Sequence, residues 1–172
     1  MLDYEALDKK ANLGAFSVYD AEILVPEVQK LEAGDVYLEI GVDKGKSLSI
    51  ARMVVKEGVN ICGVDLRPDP KVPNTSFMQG DSVAIAEKFN PNYKSINVLF
   101  IDGDHSYEGC KRDIEAWLPH MKKNGVILFH DCDESSPGVV QAVAEFVNTH
   151  IVNKWELYKR TDKNTSMSKI IL

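Results

Sequence analysis

A doubly wound α/β sheet is the fold this sequence predicts, and three observations carry it. Short apolar runs alternate with stretches of helical periodicity, the order that gives a parallel sheet buried on both faces. Four of those runs close on polar groups: Glu39, Asp65, Asp102 and His130-Asp131. Ligands bind such sheets at the carboxyl ends of strands, so these groups are expected to converge on one crevice. The first run, Val36–Ile40, passes through a glycine-containing loop straight into a helical pattern. That is how a strand delivers a ligand-binding turn to a helix N-terminus.

The elements follow in order. Residues 1–14 are charged and read as a short helix or loose arm. Ser17 or Asp20 can cap a helix over residues 21–31, with Ile23, Leu24, Val28 and Leu31 as its stripe and Pro26 in its first turn. Val36–Ile40 is the first strand, and residues 47–57 form a helix stopped by Gly58. Asn60–Asp65 is a short buried strand, residues 67–74 hold three prolines and form a loop, and Ser76–Gln79 is a third strand. Ser82 is placed as the cap of a helix over residues 83–89. Ile96–Ile101 is the strongest strand, followed by a helix over residues 106–120 with Cys110, Ile114, Trp117 and Leu118 inward. A turn at residues 123–125 leads to a buried strand over 126–129, and Pro137 opens a helix. Residues 155–160 and 166–172 alternate around Asp162-Lys163-Asn164 as a closing hairpin. Residues 1–34 are thus an N-terminal arm and helix, and 35–172 the ligand-binding domain.

A chain of 172 residues with 44% hydrophobic content is expected to form a single packed domain. The net charge of −6 and pI near 5.2 argue against nucleic acid, which is gripped through its phosphates by a basic face. Three unevenly spaced cysteines without a C-x-x-C pair read as reduced thiols. No apolar run reaches membrane-spanning length, and residues 1–30 lack a basic-then-apolar leader. A cytoplasmic protein without a membrane partner is expected.

The turn at residues 41–47 admits several nucleotide readings. It lies one residue short of the phosphate-cradling pattern G-x-x-x-x-G-K-S/T, with three residues between Gly41 and Gly45 where four are needed. Asp43 would also aim a negative charge into a nest built for anions. A nicotinamide dinucleotide needs a glycine where Asp43 stands. A cationic nucleoside without phosphate, S-adenosylmethionine, makes the acids attractive instead. Asp65 can accept both ribose hydroxyls, Asp81 the adenine amine with Ser82 beside it, and Glu39 can fix the loop or face the methionine end.

Five blocks then carry a resemblance: Glu39-Ile-Gly41-Val-Asp-Lys-Gly45-Lys-Ser47, Gly63-Val-Asp65, Gly80-Asp81-Ser82, Ile101-Asp-Gly-Asp-His105 and Asn124-Gly125 through His130-Asp131. Together they resemble class I S-adenosylmethionine-dependent methyltransferases. The last two look most like the small-molecule O-methyltransferases of macrolide sugars and, more distantly, the catechol type. The resemblance implies a Rossmann-like domain with a seven-stranded, mostly parallel sheet, helices on both faces and a C-terminal antiparallel hairpin. It implies cofactor contacts from Glu39, Gly41, Gly45, Ser47, Asp65, Leu66, Asp81, Ser82 and Asp102.

It also implies a divalent cation on Asp102, Asp131 and a neighbour of Asp131, either His130 or Cys132. His130 stands where macrolide-sugar enzymes have an acid. Magnesium is the first expectation, and a histidine-containing set also suits manganese, iron or zinc. His105 matches the position of the general base, a role an imidazole suits near neutral pH. Phe16, Tyr19 and residues 67–74 are expected to wall the acceptor pocket. Lys46 is expected to be a solvated first-turn residue, and Trp117 a core residue. The site is either open or completed by a second subunit in a homodimer. The expected activity is O-methylation of a small hydroxylated acceptor. The alternatives are a cofactor-binding protein with other chemistry, such as hydroxylation, or without turnover. A P-loop nucleotide hydrolase is the remaining one.

Overall fold

Residues 2–11, 13–89, 96–160 and 165–172 are described by a computed structural model. Its strands are β1 (Val36–Ile40), β2 (Asn60–Asp65), β3 (Ser76–Gln79), β4 (Ile96–Ile101), β5 (Met121–His130), β6 (Lys154–Arg160) and β7 (Thr165–Ile171). They form one sheet in the order β3-β2-β1-β4-β5-β7-β6. β1 to β5 pair in parallel, and β7 runs antiparallel between β5 and β6. Strand order reverses between β1 and β4, which opens a crevice at their carboxyl ends. The register pairs Ile40 with Ile101 and Ile101 with Phe129. Gly41, Asp102 and His130 therefore leave the sheet at one level.

The helices are α1 (Tyr4–Lys10), α2 (Val18–Val28), α3 (Lys46–Val54), α4 (Ser82–Ala86), α5 (Tyr107–Trp117) and α6 (Pro137–Thr149). Alternate strand residues feed two cores, because successive strand side chains point to opposite faces. Leu38, Leu99, Ile127 and Phe129 meet α5 and α6 residues on one face. Tyr37, Val98, Phe100 and Leu128 meet α2 and α3 residues on the other. Among the described residues no helix is long and apolar enough to cross a membrane.

Several boundaries differ from those expected. α2 begins at Val18 because Ser17 and Asp20 close a reciprocal capping box. Pro26 consequently falls in its last turn, where the missing N–H costs one bond just before the helix ends. α3 stops at Val54, before Gly58, which instead takes φ +82° in the turn that follows. Asp81, not Ser82, caps α4 by accepting from the Ala84 N–H, and that helix spans five residues. The turn expected at 123–125 is absorbed into β5. The register jumps from Ile96–Met121 to Val98–Val126, and Asn124 takes φ +62° to accommodate the extra residues. Both hairpin strands are present, while the turn placed at Asp162-Lys163-Asn164 lies outside the described residues.

Candidate active site

The glycine turn is built by close approach. Gly41 sits at φ +83°, and a Cβ there would lie 2.1 Å from the Asp102 carbonyl oxygen. Only glycine lets the end of β1 pack against the end of β4. Gly45, at φ +79°, begins α3 beneath Pro70 and Val72. Asp65 holds this turn from the neighbouring strand. Its Oδ2 accepts from the Val42 and Asp43 N–H groups at 2.7 Å each, and its Oδ1 from the Arg67 N–H at 2.8 Å. Those bonds occupy most of the acceptor capacity assigned in advance to the ribose.

Glu39 is fully buried behind the turn. The Tyr37 hydroxyl lies 2.6 Å from one carboxyl oxygen and the Ser47 hydroxyl 2.5 Å from the other. Burial pushes its carboxyl up to about 8, against the pull of the two hydroxyls. Its carboxyl thereby ties β1 to the first turn of α3.

Over the strand ends lies a cleft of about 590 Å³, within the range of small-molecule sites. Gly41, Ser47, Asp65, Leu66, Asp81, Ser82, Asp102, His105, His130 and Asp131 line it, while Glu39 and Gly45 stand behind its wall. Of the walls expected, Phe16 and Arg67 line it, joined by Gly14 and Ala15, while Tyr19 and residues 68–74 do not. Lys46 is not solvated: it is 16% exposed and its Nζ lies 2.7 Å from Asp8 of α1. Arg67 pairs with Asp43, and Arg112 lies 3.8 Å from Asp81. With these cations each set against a carboxylate, the acidic lining fits a cationic, phosphate-free nucleoside.

Asp113 also lines the cleft and escaped the sequence reading. Burial raises its carboxyl to about 6, opposed by the Ser82 hydroxyl. Its signal was a charged residue on the inward stripe of α5, one position before Ile114. Trp117 is wholly buried, and its indole N–H donates to Ser82.

The ends of β4 and β5 bring together Asp102, His105, His130 and Asp131. His105 Nε2 lies 3.5 Å from both Asp102 Oδ1 and Asp131 Oδ2. His130 Nδ1 approaches the same two oxygens from the other side, at 3.3 and 3.1 Å. Its Nε2 lies 3.2 Å from Asp20 Oδ2. Asp131 adopts φ +50°, a strained backbone of the kind retained where a side chain must be aimed. Burial alone would raise the Asp102 carboxyl, but the two imidazoles hold it below the usual range. Burial alone would likewise depress His130, yet the carboxylates of Asp102, Asp131 and Asp20 push it up to about 12. Neither His130 nitrogen makes a well-aligned hydrogen bond among the described residues. These partners therefore act by charge and proximity.

This donor set fits a divalent cation. The compact donor group is Asp102, His105 and Asp131, whose single donor atoms lie within 4.8 Å of one another, so it holds His105 where His130 was expected. His130 Nδ1 faces the same carboxylates without an aligned partner and offers the ligand that leaves His105 free. A cation there would displace the His130 proton, since only the neutral ring ligates. Cys132, the alternative neighbour of Asp131, lies in the core, where burial pushes its thiol up to about 11.

The family description "Methyltransferase domain" matches residues 38–132, which span β1 to the end of β5 and hold the turn, His105, His130 and Asp131. The chain belongs to this methyltransferase family. An uncharacterized protein of Acanthamoeba polyphaga mimivirus is 30% identical over 144 residues, covering 72% of this chain and 64% of the viral protein. The ribosomal RNA large subunit methyltransferase E of Desulfatibacillum aliphaticivorans is 31% identical over 83 residues, 47% of this chain and 40% of that one. This methyltransferase-family chain thus spans less than two thirds of these relatives. Its fold is shared with the O-methyltransferase TomG of Streptomyces achromogenes, solved with S-adenosylmethionine. That match has a TM-score of 0.74 at 12% identity and covers 92% of this chain and 81% of TomG. It is shared also with MycE methyltransferase of mycinamycin biosynthesis, solved with magnesium and S-adenosylhomocysteine. There the TM-score is 0.68 at 16% identity, covering 98% of this chain and 55% of MycE.

Proposed function

We propose that this protein transfers the methyl group of S-adenosylmethionine to a hydroxyl oxygen of a small acceptor, with His105 as general base. The observation that carries the reading is the placement of His105 in the cleft, 3.5 Å from both Asp102 and Asp131. With Nε2 set toward Asp102 and Asp131, His105 takes the acceptor's hydroxyl proton on Nδ1 while the oxygen bonds to the methyl carbon. The C–S bond electrons pass to sulfur, leaving a neutral thioether. Asp102 and Asp131 orient the ring. The contact with Asp102 raises its proton affinity against the effect of burial, and Asp131 adds to the rise, which stabilises the imidazolium once formed. Asp65 and Glu39 keep the glycine turn in place for the nucleoside, and Phe16 walls the acceptor side. A divalent cation held by Asp102, His130 and Asp131 would lower the acceptor hydroxyl's pKa and orient it. The magnesium in the MycE structure supports magnesium as the first ion to try.

Calorimetry with S-adenosylmethionine and S-adenosylhomocysteine tests the cofactor, and absence of binding to both overturns the reading. His105→Ala is expected to lower kcat by about 10²–10⁴-fold with cofactor affinity unchanged. A variant with normal turnover removes the base role. A second reading is favoured by the two imidazoles flanking two carboxylates: a redox metal at this centre doing hydroxylation. Elemental analysis finding stoichiometric iron, with oxygen uptake on turnover, would select it.

A further inference from the structure

We infer that Asp20, on α2 and outside the family-matched segment, is a positioning residue that fixes the His130 ring with Nδ1 toward Asp102 and Asp131. The inference rests on reading those strand ends as the reaction centre. Two aromatic rings set the plane of the imidazole. Phe16 lies 5.9 Å from it between centroids at a tilt of 32°, and Phe100 lies 6.0 Å away, perpendicular. Neither ring distinguishes Nδ1 from Nε2, because both contacts are with the ring as a whole. Asp20 does: its Oδ2 lies 3.2 Å from Nε2, on the side away from the strand ends.

Asp20 is itself held. The Ser17 N–H and hydroxyl both donate to Oδ2, at 2.8 and 2.7 Å. The residue is 2% exposed, and its Oδ1 is buried with no hydrogen-bond partner among the described residues. A helix N-terminus is served by one carboxylate oxygen in a capping box. The cap engages the same Oδ2 that faces His130 and leaves Oδ1 without a partner, so the cap alone does not account for burying the whole carboxylate beside an imidazole. A histidine serving a metal commonly gives its outer nitrogen to a carboxylate, which fixes the ring's orientation and tautomer. The pair of Asp20 and His130 has that arrangement.

The test uses Asp20→Asn, which keeps an oxygen for the Ser17 cap beside Nε2 and removes the negative charge. Ser17→Ala serves as the control that weakens the cap and leaves the carboxylate. Ring-nitrogen NMR of histidine-labelled protein, with His130 assigned by loss of its signals in His130→Gln, reads ring orientation without any metal. Asp20→Asn is expected to move the His130 ring signals and Ser17→Ala to leave them. Unchanged signals in Asp20→Asn, or equal changes in both variants, overturn the inference. Manganese(II) titration is expected to show roughly 10- to 100-fold weaker binding in Asp20→Asn, with S-adenosylhomocysteine affinity unchanged. Wild-type manganese affinity in Asp20→Asn overturns the inference even if Asp102→Asn abolishes binding. A wild type that binds no divalent cation, but whose His130 signals move in Asp20→Asn, sustains Asp20 and removes the cation from the proposed function.

Discussion

Burial pushes the Glu39 carboxyl up to about 8, which favours its neutral form in the folded protein. In the neutral acid one of its two contacts reverses, the acid donating to the oxygen of Tyr37 or Ser47. A folded-state pKa above the unfolded value of 4.5 gives stability that is complete at low pH. That stability is lost as pH rises from 4.5 through about 8, at up to about 1.4 kcal/mol per unit. Glu39→Gln keeps one donor and one acceptor and is expected to flatten that slope in urea unfolding across the window. Equal slopes in variant and wild type would show that Glu39 does not titrate there. Glu39→Ala strands two hydroxyls and is expected to cost about 1–3 kcal/mol for each. At Gly41 the constraint is steric. Gly41→Ala puts a Cβ 2.1 Å from the Asp102 carbonyl at φ +83°, with a backbone penalty of about 1–2 kcal/mol before the clash. Loss of S-adenosylhomocysteine binding in calorimetry is the expected outcome. The places of Glu39, Asp65 and Asp102 at strand ends were legible in the sequence. The partners of Glu39 were not, because hydroxyls at positions 37 and 47 meet it only after the turn folds.

At the scale of elements, α1 is the least anchored helix, with no buried residue of its own. Its Asp8 meets Lys46 in the first turn of α3. Lys46→Ala is expected to cost less than about 1 kcal/mol of global stability, yet to speed protease cleavage within residues 2–14. Unchanged cleavage would show that the arm is held elsewhere. Periodicity found every strand but misplaced helix ends. α2 starts three residues early because its capping box, a pairing of side chain and backbone, outweighs the apolar stripe. β5 runs past Asn124-Gly125, which locally signals a turn, because Met121 and Val126 pair with β4 on either side and residues 122–125 bulge between them.

For the whole molecule, the proposed cofactor site exists only in the folded sheet. Glycine turn, Asp65 and Asp81 lie on separate elements that meet only in the native sheet. S-adenosylhomocysteine at 100 times its Kd is expected to add about 2.7 kcal/mol. That raises the melting temperature by roughly 5–10 °C for a chain of this size. Absence of a shift in thermal unfolding would mean that the site is not formed. The sequence by itself determined the strands and the acids that close them, because strand period and chemistry at strand ends are local. Only the tertiary structure decided that His105 and His130 clasp the same two carboxylates, and that Asp20 lies behind them. The physical reason is register. Aligning Ile40, Ile101 and Phe129 sets three distant strand ends level, and α2 packs its buried acid against that edge.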